Sequence, residues 1–228
     1  MNDIRDYIRL SDSAAKVKQI FAKPEDFKKF YLTINSNEEE SLLRHFIVNN
    51  VPFVFKETPM LYEQLTKYVA DKLIIAASEI KLIGSAKTGF SISPNTYGKA
   101  FGIHSDLDFS IINERVFLQL ENEYLKWSSL YKQQKIQPTN PIEEKYWKEN
   151  LETGKGQIRK GFLDPRFIPN RESFELTKQI NNTTWIIKKY LLEEHGIKLK
   201  TVSASIYKNW PAFAARLNRN TSFVMNSL

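Results

Sequence analysis

The segment Ser105-Asp-Leu-Asp-Phe-Ser-Ile-Ile112 constrains this chain more than any other stretch. Polar and apolar residues alternate ahead of two isoleucines, the pattern of a strand whose Leu107 and Phe109 enter a core while Asp106 and Asp108 share the opposite face. Two carboxylates that close raise each other's pKa unless a cation lies between them, so the spacing points to a divalent metal site. Hard oxygen ligands favour Mg2+ or Mn2+ over zinc. Upstream, Lys81 to Ile83 reads as a short strand that runs into a tight turn at Gly84-Ser85, followed by Lys87, Thr88 and Gly89.

With 228 residues, 42% of them hydrophobic, the chain has material for a sizeable core. No repeat, low-complexity tract or linker divides it, so one compact unit is expected over 1–228. Within it, a helical part spans 1–79 and a core with C-terminal helices spans 80–228. The absence of cysteine removes disulfides, thiolate nucleophiles and Cys-based zinc sites. A net charge of +7 favours anionic partners such as a nucleoside triphosphate (NTP) or nucleic acid. Lys155, Arg159, Lys160, Arg166 and Arg171 concentrate that charge in one stretch, with Lys188, Lys189, Lys198 and Lys200 following. These clusters read first as solvated surface, and as functional only if they line the cleft of the aspartates. The opening Met-Asn-Asp-Ile-Arg-Asp lacks the basic-then-apolar order of a signal peptide, and no apolar run would cross a bilayer. A cytoplasmic protein without membrane contact is therefore expected.

Periodicity supplies the scaffold. Ser36 with Glu39 predicts a capping box, and Thr58-Pro59 opens a helix with Leu61, Leu65, Tyr68, Val69 and Ala76 as its buried stripe. Residues 85–105 are punctuated too densely for a regular element, and Ser91 to His104 reads as an insertion that covers a ligand or bulges outward. Asn113 caps a helix reaching about Tyr131 with Val116, Phe117, Leu120, Tyr124 and either Trp127 or Tyr131 inward. A polar connector and a helix over Ile142 to Leu151 follow, and Gly154 to Asn170 is expected to be irregular. Ser173 to Glu194 forms an amphipathic helix stopped by Gly196, Leu199 to Tyr207 a strand with Val202, Ala204 and Ile206 on one side, and Asn209 starts the last helix. Tyr97, Tyr207 and Trp210 have rings able to stack a base, although core packing is favoured for the last two.

Gly84-Ser85 after a strand, Thr88-Gly89 just beyond, and Ser105-Asp106-Leu-Asp108 on the next strand together resemble the DNA polymerase beta-like nucleotidyltransferase superfamily, over roughly residues 80–112. The resemblance implies an α+β fold with a small mixed sheet carrying the Gly-Ser turn and the Asp-x-Asp strand. It implies an enzyme that moves a nucleoside monophosphate from an NTP to a hydroxyl of RNA, protein or another nucleotide. Asp106 and Asp108 would be catalytic and would hold Mg2+ or Mn2+, while Gly84, Ser85, Lys87 and Thr88 would bind the nucleotide. Two metals about 3.5–4 Å apart would stabilise the attacking and leaving oxygens. Gly84 would let backbone amides approach the triphosphate, the Ser85 hydroxyl would bond a phosphate oxygen, and Lys87 would add a point charge at the β- or γ-phosphate. By analogy with minimal bacterial members, a role in phage defence or beside an antitoxin partner is implied.

The chain departs from the family pattern at two places. Ser85 and Asp106 are unusually far apart, and Leu199 to Tyr207, where a third carboxylate would fall, carries Ser203 and Ser205 instead. Asp164 and Glu114 are the substitutes in reach. A second reading is thus a catalytically degenerate protein that senses nucleotide or nucleic acid, and a third is an interaction subunit whose basic loop docks an acidic partner. His104, beside Ser105-Asp106, is read as structural and is left out of the catalytic set.

Overall fold

The computed structural model describes residues 10–227; the Met1–Asp6 opening weighed above lies outside the described residues. Four strands form one mixed sheet: β1 (Ile80–Ile83), β2 (Leu107–Ile112), β3 (Phe162–Leu163) and β4 (Val202–Tyr207). Their spatial order is β1-β2-β4-β3, with β2 and β4 parallel and the two outer pairs antiparallel. Around the sheet stand α1 (Pro24–Thr33), α2 (Glu39–Leu43, continued by a π turn over Arg44–Val48), α3 (Pro59–Leu73) and the one-turn α4 (Ser85–Thr88). The later helices are α5 (Glu114–Lys132), α6 (Pro141–Arg159), α7 (Glu175–His195) and α8 (Trp210–Ser227). The protein is therefore α+β. Among the described residues no helix is long and apolar enough to cross a membrane.

Strand alternation decides which residues face the core. Leu82, Leu107, Phe109, Ile111, Val202, Ala204, Ile206 and Leu163 share one large core with apolar faces of α3, α5 and α7. Burial of that surface is the main stabilising term of the fold. The opposite face carries Asp108 level with Ile83 and Ser203, then Ser110 level with Lys81 and Ser205, then Ile112 level with Tyr207. The far end of this second face is closed by Val48, Phe162, Tyr207 and Phe213. A separate core joins α1 and α2 to the end of α8 through Phe27, Leu43, Phe46, Phe90, Val224 and Met225.

Several local expectations need correcting. The capping box falls one residue earlier, on Asn35 and Glu38, because the Glu38 carboxylate accepts both from the Asn35 amide and from Ser11. In α3, Ala76 is outside the helix: Ile74 takes a left-handed conformation at φ 55°, and the stripe is completed by Tyr62, Ala70 and Leu73. The helix expected to stop at Leu151 continues to Arg159, straight through Gly154 and Gly156. Gly154 is there for close approach rather than for a turn, since a Cβ at that position would lie 2.3 Å from the Tyr124 ring. The Tyr124 hydroxyl donates to the Asn150 and Leu151 carbonyls at 3.1 and 2.6 Å, fastening α6 onto α5.

The Ser91 to His104 insertion is fastened to the rest of the protein. Phe90 bridges to Ala100, the Ser91 and Lys99 backbones pair, and the Tyr97 hydroxyl donates to the Pro24 carbonyl at 2.6 Å. The arm is pinned on the start of α1, with Phe90 buried in the second core.

Candidate active site

Asp106 and Asp108 lie at the edge of the sheet's second face, where β1 ends and β2 begins. Asp106 precedes the strand proper, but its neighbours are already in the parallel ladder: the Lys200 amide donates to the Ser105 carbonyl and the Leu107 amide to the Thr201 carbonyl. Leu107 is thereby driven into the core, and the acids on either side of it turn to the same face. Asp108 is level with Ser203 across β4, whose hydroxyl donates to its Oδ1 at 2.6 Å. On the other side Gly84, at φ 72° and ψ −160°, brings backbone against the carboxylate: a Cβ there would sit 3.4 Å from Asp108 Oδ2. Only glycine adopts that conformation without strain.

The two acids differ in how they are satisfied. Burial pushes the Asp108 carboxyl above its usual range, with the charges of Asp106 and Asp164 adding to that and the Ser203 bond and Arg166 opposing it. Asp106 keeps its Oδ1 buried with no hydrogen-bond partner among the described residues. A carboxylate oxygen withheld from both water and donors is costly, and a cation is the simplest group to relieve it. The donor set thus fits a hard divalent ion on two carboxylates. Among the described residues, however, no group of three or more His, Asp or Glu side chains could hold a metal ion.

Asp164 lies near the pair but is engaged elsewhere. It follows β3, whose Leu163 is level with Ile206, so chain direction brings it towards the same face beyond β4. Its side chain is nearly buried and both of its oxygens accept from Arg166, while Oδ1 also caps the Arg166 amide at 2.9 Å. The guanidinium is in turn held charged by Asp164 first and then by Asp108 and Asp106. Arg166 is therefore a solvent-exposed cation on the rim of the acidic cluster. Of the rest of the basic stretch, Lys155 pairs with Glu152, and Arg171 with Glu143 and the Trp147 ring.

The residues around the Gly-Ser turn separate into two groups. The Ser85 hydroxyl, half-buried beside Gly84, has no hydrogen-bond partner among the described residues. Thr88 is buried and its hydroxyl donates to the Phe90 carbonyl at 2.6 Å. Lys87 is buried too, with its ammonium donating to the carbonyls of Asn49 and Asn50, and burial pulls its pKa down to about 8. Its charge ties α4 to the turn after α2 instead of facing the carboxylates. His104 is exposed, and Glu114 pairs with Lys208 at the far end of β2.

The chain matches no family model, no curated protein and no solved structure. The site's own chemistry carries the functional argument.

Sequence reasoning undervalued two residues here. Ser203 reads in the sequence only as a missing acid, although its level with Asp108 makes it that residue's hydrogen-bond donor. Arg166 reads as surface charge, and exposed it is, but Asp164-Pro165-Arg166 also carries the signal of its pairing: proline fixes the turn, and the arginine two residues after the acid folds back onto it.

Proposed function

We propose that Asp106 and Asp108 bind Mg2+ or Mn2+ and present an NTP for transfer of its nucleoside monophosphate to a hydroxyl acceptor. The observation that carries this reading is the buried, unpartnered Asp106 oxygen beside an Asp108 held by Ser203. Such a metal would neutralise charge that builds on the α-phosphate and the departing pyrophosphate. Ser203 fixes the Asp108 rotamer, so the carboxylate is set in place before any ligand arrives. Gly84 leaves room beside Asp108 Oδ2, and the free Ser85 hydroxyl is placed to donate to a phosphate oxygen. Arg166 adds fixed positive charge at the rim, suited to a polyanion. Lys87 and Thr88 serve the turn itself, through carbonyls of the neighbouring chain, and are not given phosphate contacts in this reading. The acceptor is a hydroxyl of RNA, protein or a nucleotide.

The test is transfer of label from each α-labelled NTP to total RNA or protein with Mg2+ or Mn2+, comparing wild type with Asp106→Asn and Asp108→Asn. Removing either carboxylate should lower the rate by a factor on the order of 100 or more while the fold is no less stable. Equal label transfer in wild type and both variants would end the proposal.

A second reading, a nucleotide or nucleic-acid sensor without turnover, is favoured by one specific arrangement. Ser203 stands where another acid would complete the site, and Arg166 occupies both oxygens of Asp164. NTP binding that depends on Asp106 and Asp108 without any product would select it.

A further inference from the structure

Away from the acidic pair, a cavity of about 510 Å3 lies between α2 with its π turn and the start of α8. Its size suits a small organic ligand. The wall includes Val48 and Phe213, which also close the far end of the sheet's second face. Trp210 lines the opening, nearly half exposed and packed edge-on against Phe213 at 5.6 Å between ring centres. Exposing an indole at the mouth of a cavity leaves a large π surface without a stacking partner.

The polar residues around the indole are equally uncommitted. Arg44, Glu40, Asn49 and Asn218 line the same cavity, and among the described residues none of their side chains has an ion-pair or hydrogen-bond partner. Arg44 and Glu40 are one turn apart on the same helical segment yet do not pair with each other. The cavity thus offers a stacking ring, a guanidinium for an anion, amides with both donor and acceptor edges, and a carboxylate for hydroxyl donors. A ligand that uses all four has an aromatic heterocycle, a diol and a singly placed anionic group.

We infer that this cavity binds a nucleoside monophosphate, as a free nucleotide or as the terminal residue of an RNA strand. The base stacks on Trp210, the phosphate pairs with Arg44, and the ribose hydroxyls donate to Glu40. This site needs neither metal nor the acidic pair, and it stands or falls independently of the nucleotidyl-transfer proposal.

Isothermal titration of the full chain, in the presence of a chelator, with each of the four nucleoside monophosphates and with a short single-stranded RNA decides it. Saturable binding is expected, weakened roughly tenfold or more in Trp210→Ala and in Arg44→Ala and unchanged in Asp108→Asn. Arg44 is exposed and the Trp210 indole nearly half so, and melting curves verify that the variants fold. Tighter binding of the mononucleotide marks a free-nucleotide site, whereas tighter binding of the RNA marks a strand-end site. No heat with any of these ligands at millimolar concentration, or affinity untouched by both substitutions, overturns the inference. Binding abolished by Asp108→Asn overturns it too, because it places the ligand on the carboxylates.

Discussion

Ser203 donates its hydroxyl proton to Asp108 across the parallel pair of β2 and β4, at 2.6 Å. The bond supports the charged carboxylate in a place where burial disfavours it. Because the folded protein holds the Asp108 proton more tightly than the unfolded chain does, stability from this group falls as pH rises from the ordinary aspartate range to the raised value. Asp108→Asn should therefore stabilise the metal-free protein at pH 7, by about 0.5–2 kcal/mol, and the gain should shrink on acidification. Denaturant melts at pH 4 and pH 7 measure it. Added Mg2+ should raise the melting temperature of wild type and leave that of the variant unchanged.

Arg166 is the only basic group bonded to Asp164 among the described residues. Arg166→Ala should cost about 1–2 kcal/mol at neutral pH, less than a fully buried pair because the guanidinium is mostly in water. Asp164→Asn in the same chain should restore most of the loss, since the stranded charge is what destabilises. A double variant no more stable than Arg166→Ala alone would contradict this assignment.

Lys87 titrates in the opposite sense to Asp108. Its folded-state pKa of about 8 lies below the ordinary 10.5, so between those values the unfolded chain binds the extra proton and stability from this group rises with pH. Measured against Lys87→Met, wild type should gain on the order of 3 kcal/mol across that interval. A flat difference between the two unfolding curves would show that the ammonium is not buried as described.

Gly154 faces the Tyr124 ring with no room for a methyl group. Gly154→Ala should destabilise by about 1–3 kcal/mol despite the better helix propensity of alanine. Combining it with Tyr124→Leu, which vacates that space, should yield less than the sum of the single losses, as chemical unfolding of the four species would reveal.

Much of the framework was legible because its signals are local and redundant. Asn113 caps α5 as expected, with the Val116 amide donating to its side chain; Val116, Phe117, Leu120 and Tyr124 are buried, and of the alternatives Trp127 and Tyr131 it is Trp127 that is fully buried. Gly196 ends α7 in the left-handed conformation, and β4 buries Val202, Ala204 and Ile206 together. Errors arose where a residue type serves two purposes. Gly154 reads as a breaker until the Tyr124 ring is seen against it, and Ile74 carries no sign of its left-handed turn. At the acidic site, the strand pattern placed Leu107 and Phe109 inward and the acids on one face. Turning Lys87 towards Asn49 and Asn50 depends on a contact between segments distant in sequence, which no periodicity encodes, whereas the Asp164–Arg166 pair is a local turn that has no periodicity to reveal it.

Val224 and Met225 complete a core otherwise built from α1, α2 and Phe90. During synthesis the early helices must wait for α8 before that core can close, leaving Phe27, Leu43 and Phe46 in search of cover. Trimming the end of α8 would reopen the same surface, so a shortened chain should be prone to aggregation and protease attack at its opposite end.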